Sequence, residues 1–389
     1  MKKLKEKGTG GIISHIIYIL MGGAIGLNAG FILDNAGLLS GGLSLKWKVL
    51  LFVLLIVYFY VSSVIQVIVH ESGHLIFGLL SGYKFLSFRI FSTIWVKNEG
   101  EIIRKKYTIP GTAGQCLMWP PDYNDGNFPY VMYNLGGGFM NIIISTLLLS
   151  VAGLVRSKAF LWLFIIFVAY YGYAMAIINL LPMRVGGISN DGKNIMDMRK
   201  DDMIKKAFWR ELYINAQIST GKRYSELDES LFDISGINVK NPIGAYIYAV
   251  KANRHLECCE YEDAYEIYEH MLSGESTGVF VSEISAGIER AFLMMMLGMD
   301  SVEIEKRITP GMKKYMKSAK ILPQTKRFEY AYELYVNKNM ANAEKAEEEF
   351  NKNITNSPNI GDNMLEKQLF LLFKEKYFAK YSESDYNVS

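Results

Sequence analysis

The sequence predicts an α-helical multi-pass membrane protein with a small membrane-associated β-hairpin, followed by a soluble all-α helical-hairpin domain. Two observations carry this. First, charge is unevenly spread along the 389 residues: residues 1–182 hold 14 Lys/Arg and 7 Asp/Glu, whereas residues 183–389 hold 28 and 32. The first part is too poor in charge for a water-facing surface, and the second has ordinary soluble composition. Second, Gly8–Leu33, Gly126–Val155 and Ala159–Met183 contain no Asp, Glu, Lys or Arg, and Val49–Tyr83 contains Glu71 alone. Crossing ~30 Å of hydrocarbon takes about 20 apolar residues in a helix, so four spans are expected. A single soluble domain, a disordered chain and a nucleic-acid-binding basic protein are excluded. Three cysteines, Cys116, Cys258 and Cys259, provide neither a disulfide framework nor a C-x-x-C knuckle.

The first span follows Lys2, Lys3, Lys5 and Lys7 without a small-residue cleavage site after it, so a retained signal anchor is expected. The N-terminal arm and the segment between spans two and three (Lys84, Arg89, Lys97, Arg104, Lys105, Lys106) carry ten basic residues. The other two loops carry Lys46, Lys48, Arg156 and Lys158. This asymmetry predicts that both termini are cytoplasmic, and the expected location is a bacterial plasma membrane. Residues 1–48 then form the cytoplasmic arm, first span and short outer loop, 49–192 a three-span core, and 193–389 a cytoplasmic helical domain.

After span two the composition changes. Phe85–Val96 and Glu101–Ile109 are rich in aromatic and β-branched residues and flank the turn signal Lys97-Asn-Glu-Gly100, which predicts a β-hairpin near 84–110. Beyond Met183 the pattern is amphipathic and helical. Asn241–Ser273 reads as a helix pair, and a second pair falls around Phe328–Ile354. These weakly resemble tetratricopeptide-type repeats, with irregular spacing and incomplete signature residues.

The chemistry concentrates in His70-Glu-Ser-Gly-His74, an H-E-x-x-H motif. On a helix, positions i and i+4 share a face, so His70 and His74 can hold one zinc with Glu71 beside it as general base. Chance predicts the motif in a chain of this composition with a probability on the order of half a percent. Glu71 is also the one charged residue in its apolar stretch, where a carboxylate is costly and usually functional. Zinc needs a third protein ligand. Phe77 and Leu80 stand where a metzincin would continue with Gly and His, and the other histidines, His15, His255 and His270, lie far off along the chain. Asp191 is the conspicuous carboxylate. It follows span four, which exits on the side where His70 and His74 lie. Taken alone, Asn190-Asp-Gly192 reads as a turn after a helix; beside the H-E-x-x-H the ligand reading is preferred. Cys116 is a further candidate ligand, with no second thiol in its loop.

With these residues in view, the chain resembles the site-2 protease family of intramembrane zinc metalloproteases. Its H-E-x-x-H is matched here by His70, Glu71 and His74, and its Asn-x-x-Pro…Asp-Gly segment by Asn179, Pro182, Asp191 and Gly192. A Gly-Pro-x-x-Asn segment of many members is represented by Gly137-Gly-Phe-Met-Asn141, with Gly138 in place of proline. The likeness covers about Val49 to Gly192. It implies one Zn2+ per chain on His70, His74 and Asp191, and peptide-bond hydrolysis with water activated by zinc and Glu71. It also implies that Asn141 holds the substrate backbone or the developing oxyanion. The expected substrate is a membrane-spanning protein or peptide precursor in the bilayer, with a protein partner for the C-terminal domain and no nucleic acid. A different class of reading is a membrane-anchored interaction protein with a helical-repeat tail and a degenerate protease core.

Overall fold

The computed structural model describes residues 2–37, 44–98, 100–109, 112–185, 188–273 and 280–386. Parts of three expected features therefore lie outside the described residues: 38–43 of the outer loop, Glu99 of the hairpin turn, and residues 186–187 before Asp191. The chain divides into two compact units. One comprises residues 1–90, 113–122 and 128–200, and the other residues 91–112, 123–127 and 201–389.

In the first unit, α1 (Lys2–Asn35), α2 (Leu45–Leu80), α3 (Tyr130–Ala152) and α4 (Ala159–Leu180) come from the four charge-poor stretches. Each supplies all or most of a segment long and apolar enough to cross a membrane: His15–Asn35, Leu45–Leu80, Tyr130–Val155 (α3 and the short turn after it) and Ala159–Leu180. Helices α2, α3 and α4 pack against one another, and α1 packs against α4. An apolar cluster joins Met21, Ile25 and Ile32 of α1 to Leu163, Ile166 and Phe167 of α4. Many large apolar side chains, including Phe52, Ile56 and Tyr60 of α2, are exposed. Where α2 crosses α3, Gly73 faces Gly136. A Cβ on either would collide with the other's backbone carbonyl, so this close approach requires glycine on both helices.

The β-segment is more finely divided than the expected hairpin. Strand β1 (Lys84–Ile90) ends where Phe91 adopts φ +49°. Then β2 (Thr93–Asn98) pairs antiparallel with β3 (Glu101–Lys106), from Asn98↔Glu101 to Thr93↔Lys106. The predicted turn is therefore present, but Phe85–Val96 is two strands. No Gly, Pro or Asn marks the break at Phe91-Ser92. The partner of β1 is β4 (Gly114–Trp119), also antiparallel, with Phe88↔Cys116 and Ile90↔Gly114 in register. After α4, the two-residue strands β5 (Arg184–Val185) and β6 (Ile188–Ser189) pair and lead into α5 (Asp191–Lys200).

The second unit holds β2, β3 and the helices α6 (Asp202–Ser219), α7 (Pro242–Glu257), α8 (Tyr261–Leu272), α9 (Phe280–Met296), α10 (Ser301–Arg307), α11 (Pro310–Ser318), α12 (Pro323–Tyr335), α13 (Met340–Asn356) and α14 (Ile360–Tyr386). Both expected helix pairs form, as α7 with α8 and α12 with α13. Their starts are fixed locally. Asn241 caps the Ile243 N–H ahead of Pro242, and Asn339 caps that of Asn342. Rings dominate the core, with Phe370 stacked on Phe350 and tilted on Tyr330, both at 4.4 Å. Ile94 and Tyr107 of the β2–β3 region join an apolar cluster with Ala319 and Leu322.

Candidate metal centre

Helix α2 carries His70, Glu71 and His74 near its C-terminal end, all three buried. Because i and i+4 lie one turn apart on one face, the two imidazoles meet with Nε2 atoms 3.1 Å apart. Asp191, in the first turn of α5, brings Oδ2 to 3.4 Å from His70 Nε2 and 3.5 Å from His74 Nε2. Three residues able to ligate a metal, from distant parts of the sequence, thus converge. Among the described residues, one other His/carboxylate group is as tight: His255, Glu260 and Asp263 at the α7–α8 turn. It lies at the surface, and His255 Nδ1 is already bonded to Glu260 Oε2 at 2.6 Å.

The far side of each imidazole fixes its tautomer. His74 Nδ1 lies 2.8 Å from the Tyr133 carbonyl, an acceptor, so Nδ1 donates. His70 Nδ1 lies 2.9 Å from Asn141 Oδ1, whose Nδ2 donates to the Gln66 carbonyl and to Gln66 Oε1. Gln66 Nε2 in turn donates to the Val168 carbonyl on α4. With both rings neutral, each aims an Nε2 lone pair inward. With Asp191 Oδ2, which is buried and carries no hydrogen bond, three acceptors face one another with no donor between them. Such a set is satisfied by positive charge at its centre, from a proton on an imidazole or from a bound cation.

Space for a cation is kept by a missing side chain. A Cβ on Gly137 of α3 would lie within 2.7 Å of His70 Nε2 and 2.6 Å of His74 Nε2. Glycine at this position leaves the centre of the cluster open, and the residues present fit a small divalent cation.

Asp191 is held by a residue that sequence reasoning passed over as part of a turn. Asn190 Oδ1 accepts from the Lys193 N–H as the cap of α5 and from the Met183 N–H. Its Nδ2 donates to the carbonyls of Ile178 and Leu181 at the end of α4. Gly192 packs so closely that a Cβ would overlap the Leu180 carbonyl. The motif residue Asn179 bonds only locally, from Nδ2 to the Met175 carbonyl. Gln66 and Tyr133 were also missed, and Gly137 entered only as part of a motif match. A buried Gln and a Gly in apolar helices are the sequence signals that could have raised the first and last.

Asn141 is fully buried between His70 and Gln66, so in this structure its amide orients a histidine. A substrate-facing role would need it to exchange those bonds. Cys116 lies on β4, outside the ligand cluster. Burial, with Glu71 nearby, pushes its thiol far up, which keeps it protonated and a poor ligand. Comparison with protein-family models, curated proteins and solved structures finds no match to this chain.

Proposed function

We propose that this chain is an intramembrane zinc metallopeptidase that hydrolyses a peptide bond in a membrane-embedded protein or peptide precursor. One observation carries the reading: three acceptor atoms, from His70, His74 and Asp191, converge without a donor beside buried Glu71, on a helix of membrane-crossing length. Zinc favours such a nitrogen–oxygen set, and ligand atoms of a tetrahedral site with ~2.1 Å bonds lie ~3.4 Å apart, close to the spacings here. Three protein ligands leave a fourth position open, as catalytic zinc requires.

His70 Nε2, His74 Nε2 and Asp191 Oδ2 would hold the ion. When bound, zinc acidifies a water and polarises the scissile carbonyl. The residues of the chain supply the rest. Asn141 and the Tyr133 carbonyl keep both imidazoles in the ligating tautomer, which strengthens them as ligands. Glu71 is the general base: a carboxylate oxygen takes the proton of the attacking water and delivers it to the leaving amine. Burial of the cluster limits competing water and strengthens each charge interaction. The ten basic residues of the N-terminal arm and the second inter-span segment support a cytoplasmic position for both termini.

The test compares membrane proteins in cells carrying the native chain or Glu71→Gln. An uncleaved precursor should accumulate with the variant, while purified variant retains its zinc. Identical membrane proteomes, with no zinc in either purified protein, would favour the membrane-anchored interaction protein instead.

A further inference from the structure

A fully buried arginine lies beside this centre, and the chemistry proposed above does not use it. Arg89 on β1 has none of its surface exposed, and burying a guanidinium is costly unless it is well engaged. Its inward direction is itself constructed. The β1–β4 register slips between Phe85 and Ser87, so Leu86 and Ser87 are both buried and the alternation after them is reversed. Ser87 and Arg89 then face inward, which is how a bulge re-aims side chains. Arg89 Nη2 donates to the Gly114 carbonyl at 3.2 Å.

Gly114 is where this bond acts. A Cβ there would run into the Glu71 carboxyl, 2.5 Å from Cγ and 2.7 Å from Cδ. The bare Cα of Gly114 is thus a wall against which the Glu71 side chain rests. The same strand also backs the metal ligands, since Tyr133 Oη donates to the Cys116 carbonyl at 2.8 Å while the Tyr133 carbonyl accepts from His74.

We propose that Arg89 and Gly114 are a positioning pair for Glu71: the guanidinium fixes the Gly114 carbonyl, and Gly114 fixes the direction of the carboxylate toward the site. This rests on the metallopeptidase reading, in which Glu71 is the base. Neither residue touches substrate; both act through Glu71.

The experiment uses the full chain in detergent, loaded with Co2+ alone, whose visible spectrum is followed against pH, with cleavage of dye-labelled casein as a second readout. Glu71→Gln sets the reference shift. Gly114→Ala should keep one cobalt per chain and move the spectral midpoint in the same direction as Glu71→Gln, by about one pH unit, with cleavage reduced about 10²-fold. Arg89→Met should behave like Gly114→Ala, and Arg89→Lys should recover most of the native profile because a charged donor remains. Gln115→Ala, at the neighbouring exposed position of β4, should leave both readouts native. A native midpoint and native cleavage in Gly114→Ala would overturn the pair while leaving the metal centre intact. A native chain that takes up no cobalt would remove the metallopeptidase reading and this inference with it.

Discussion

In the first unit His70, His74 and Asp191 turn three acceptor atoms toward one point; in the second, Arg327 is as deeply buried but lies between carboxylates. Arg327 Nε donates to Glu366 Oε2 at 2.7 Å, and Nη2 donates to both oxygens of Glu289 at 2.8 and 2.9 Å. Its guanidinium also covers the ring of Phe292 at 4.0 Å. Both clusters bury ionisable groups, yet only the first gathers acceptors without a donor. A buried network whose charges answer one another holds a core together, whereas one left unbalanced is a candidate ligand site. Burial alone does not separate the two; the donor–acceptor balance does.

Substitutions at the two clusters should therefore fail differently. The largest effect is expected from Gly137→Ala, which fills the open centre of the ligand set. Purified variant should lose its metal and all detectable cleavage while keeping its helical circular dichroism, because alanine suits a helix. Retained metal at native stoichiometry would mean the cation does not sit between the two histidines.

Arg327→Ala leaves Glu366 buried and Glu289 half-buried without their partner, and should destabilise the second unit by about 3–5 kcal/mol. Replacing all three by apolar residues of similar volume should restore most of that loss, as measured by chemical denaturation of the full chain. Metal content should be unchanged by either. Were the triple replacement as unstable as Arg327→Ala, the network would be doing more than balancing its own charge.

Asn141→Ala removes the partner of His70 Nδ1 but no ligand. Metal affinity should fall about 10- to 100-fold, read by competition with a chelator. An unchanged affinity would free Asn141 for the substrate contact that the family likeness implies.

A smaller effect concerns pH. Glu211 of α6 keeps an edge at the surface, yet burial pushes its carboxyl from 4.5 up to about 8, with the Tyr246 ring within electrostatic reach. The folded chain therefore holds a proton that the unfolded chain releases between those values. Stability from this group is complete below about pH 4.5 and is lost as pH rises to about 8, with a slope of up to ~1.4 kcal/mol per pH unit. Glu211→Gln should flatten that slope in denaturation curves recorded from pH 5 to 8. A slope identical to the native one would assign the pH dependence to other carboxylates.

Much of this was legible in the residues. Long apolar runs mark the four long helices, because length and composition suffice for a helix that can cross a membrane. His70, Glu71 and His74 sit together because their spacing is that of one helical turn. Asp191 could be picked out by following the side on which each apolar helix exits, and it does meet both histidines. What was hidden depends on packing. The end of β1 at Phe91 is made by one residue in the left-handed region, and no residue type there announces it. Strand β4 carries Cys and Met where a strand signal would be Val or Ile. Gln66, Asn190 and Gly137 matter through what lies across from them, and that partner is on another helix or turn each time. Arg89 was counted as a basic loop residue; a one-residue bulge turned it inward.

The most direct test of the central claim is metal analysis of the purified full chain by mass spectrometry. One zinc per native chain is expected, and none in the His70→Ala/His74→Ala double variant. His255→Ala, in the surface group of the second unit, should keep the native value. A native chain without metal, or zinc retained in full by the double variant, would contradict the claim.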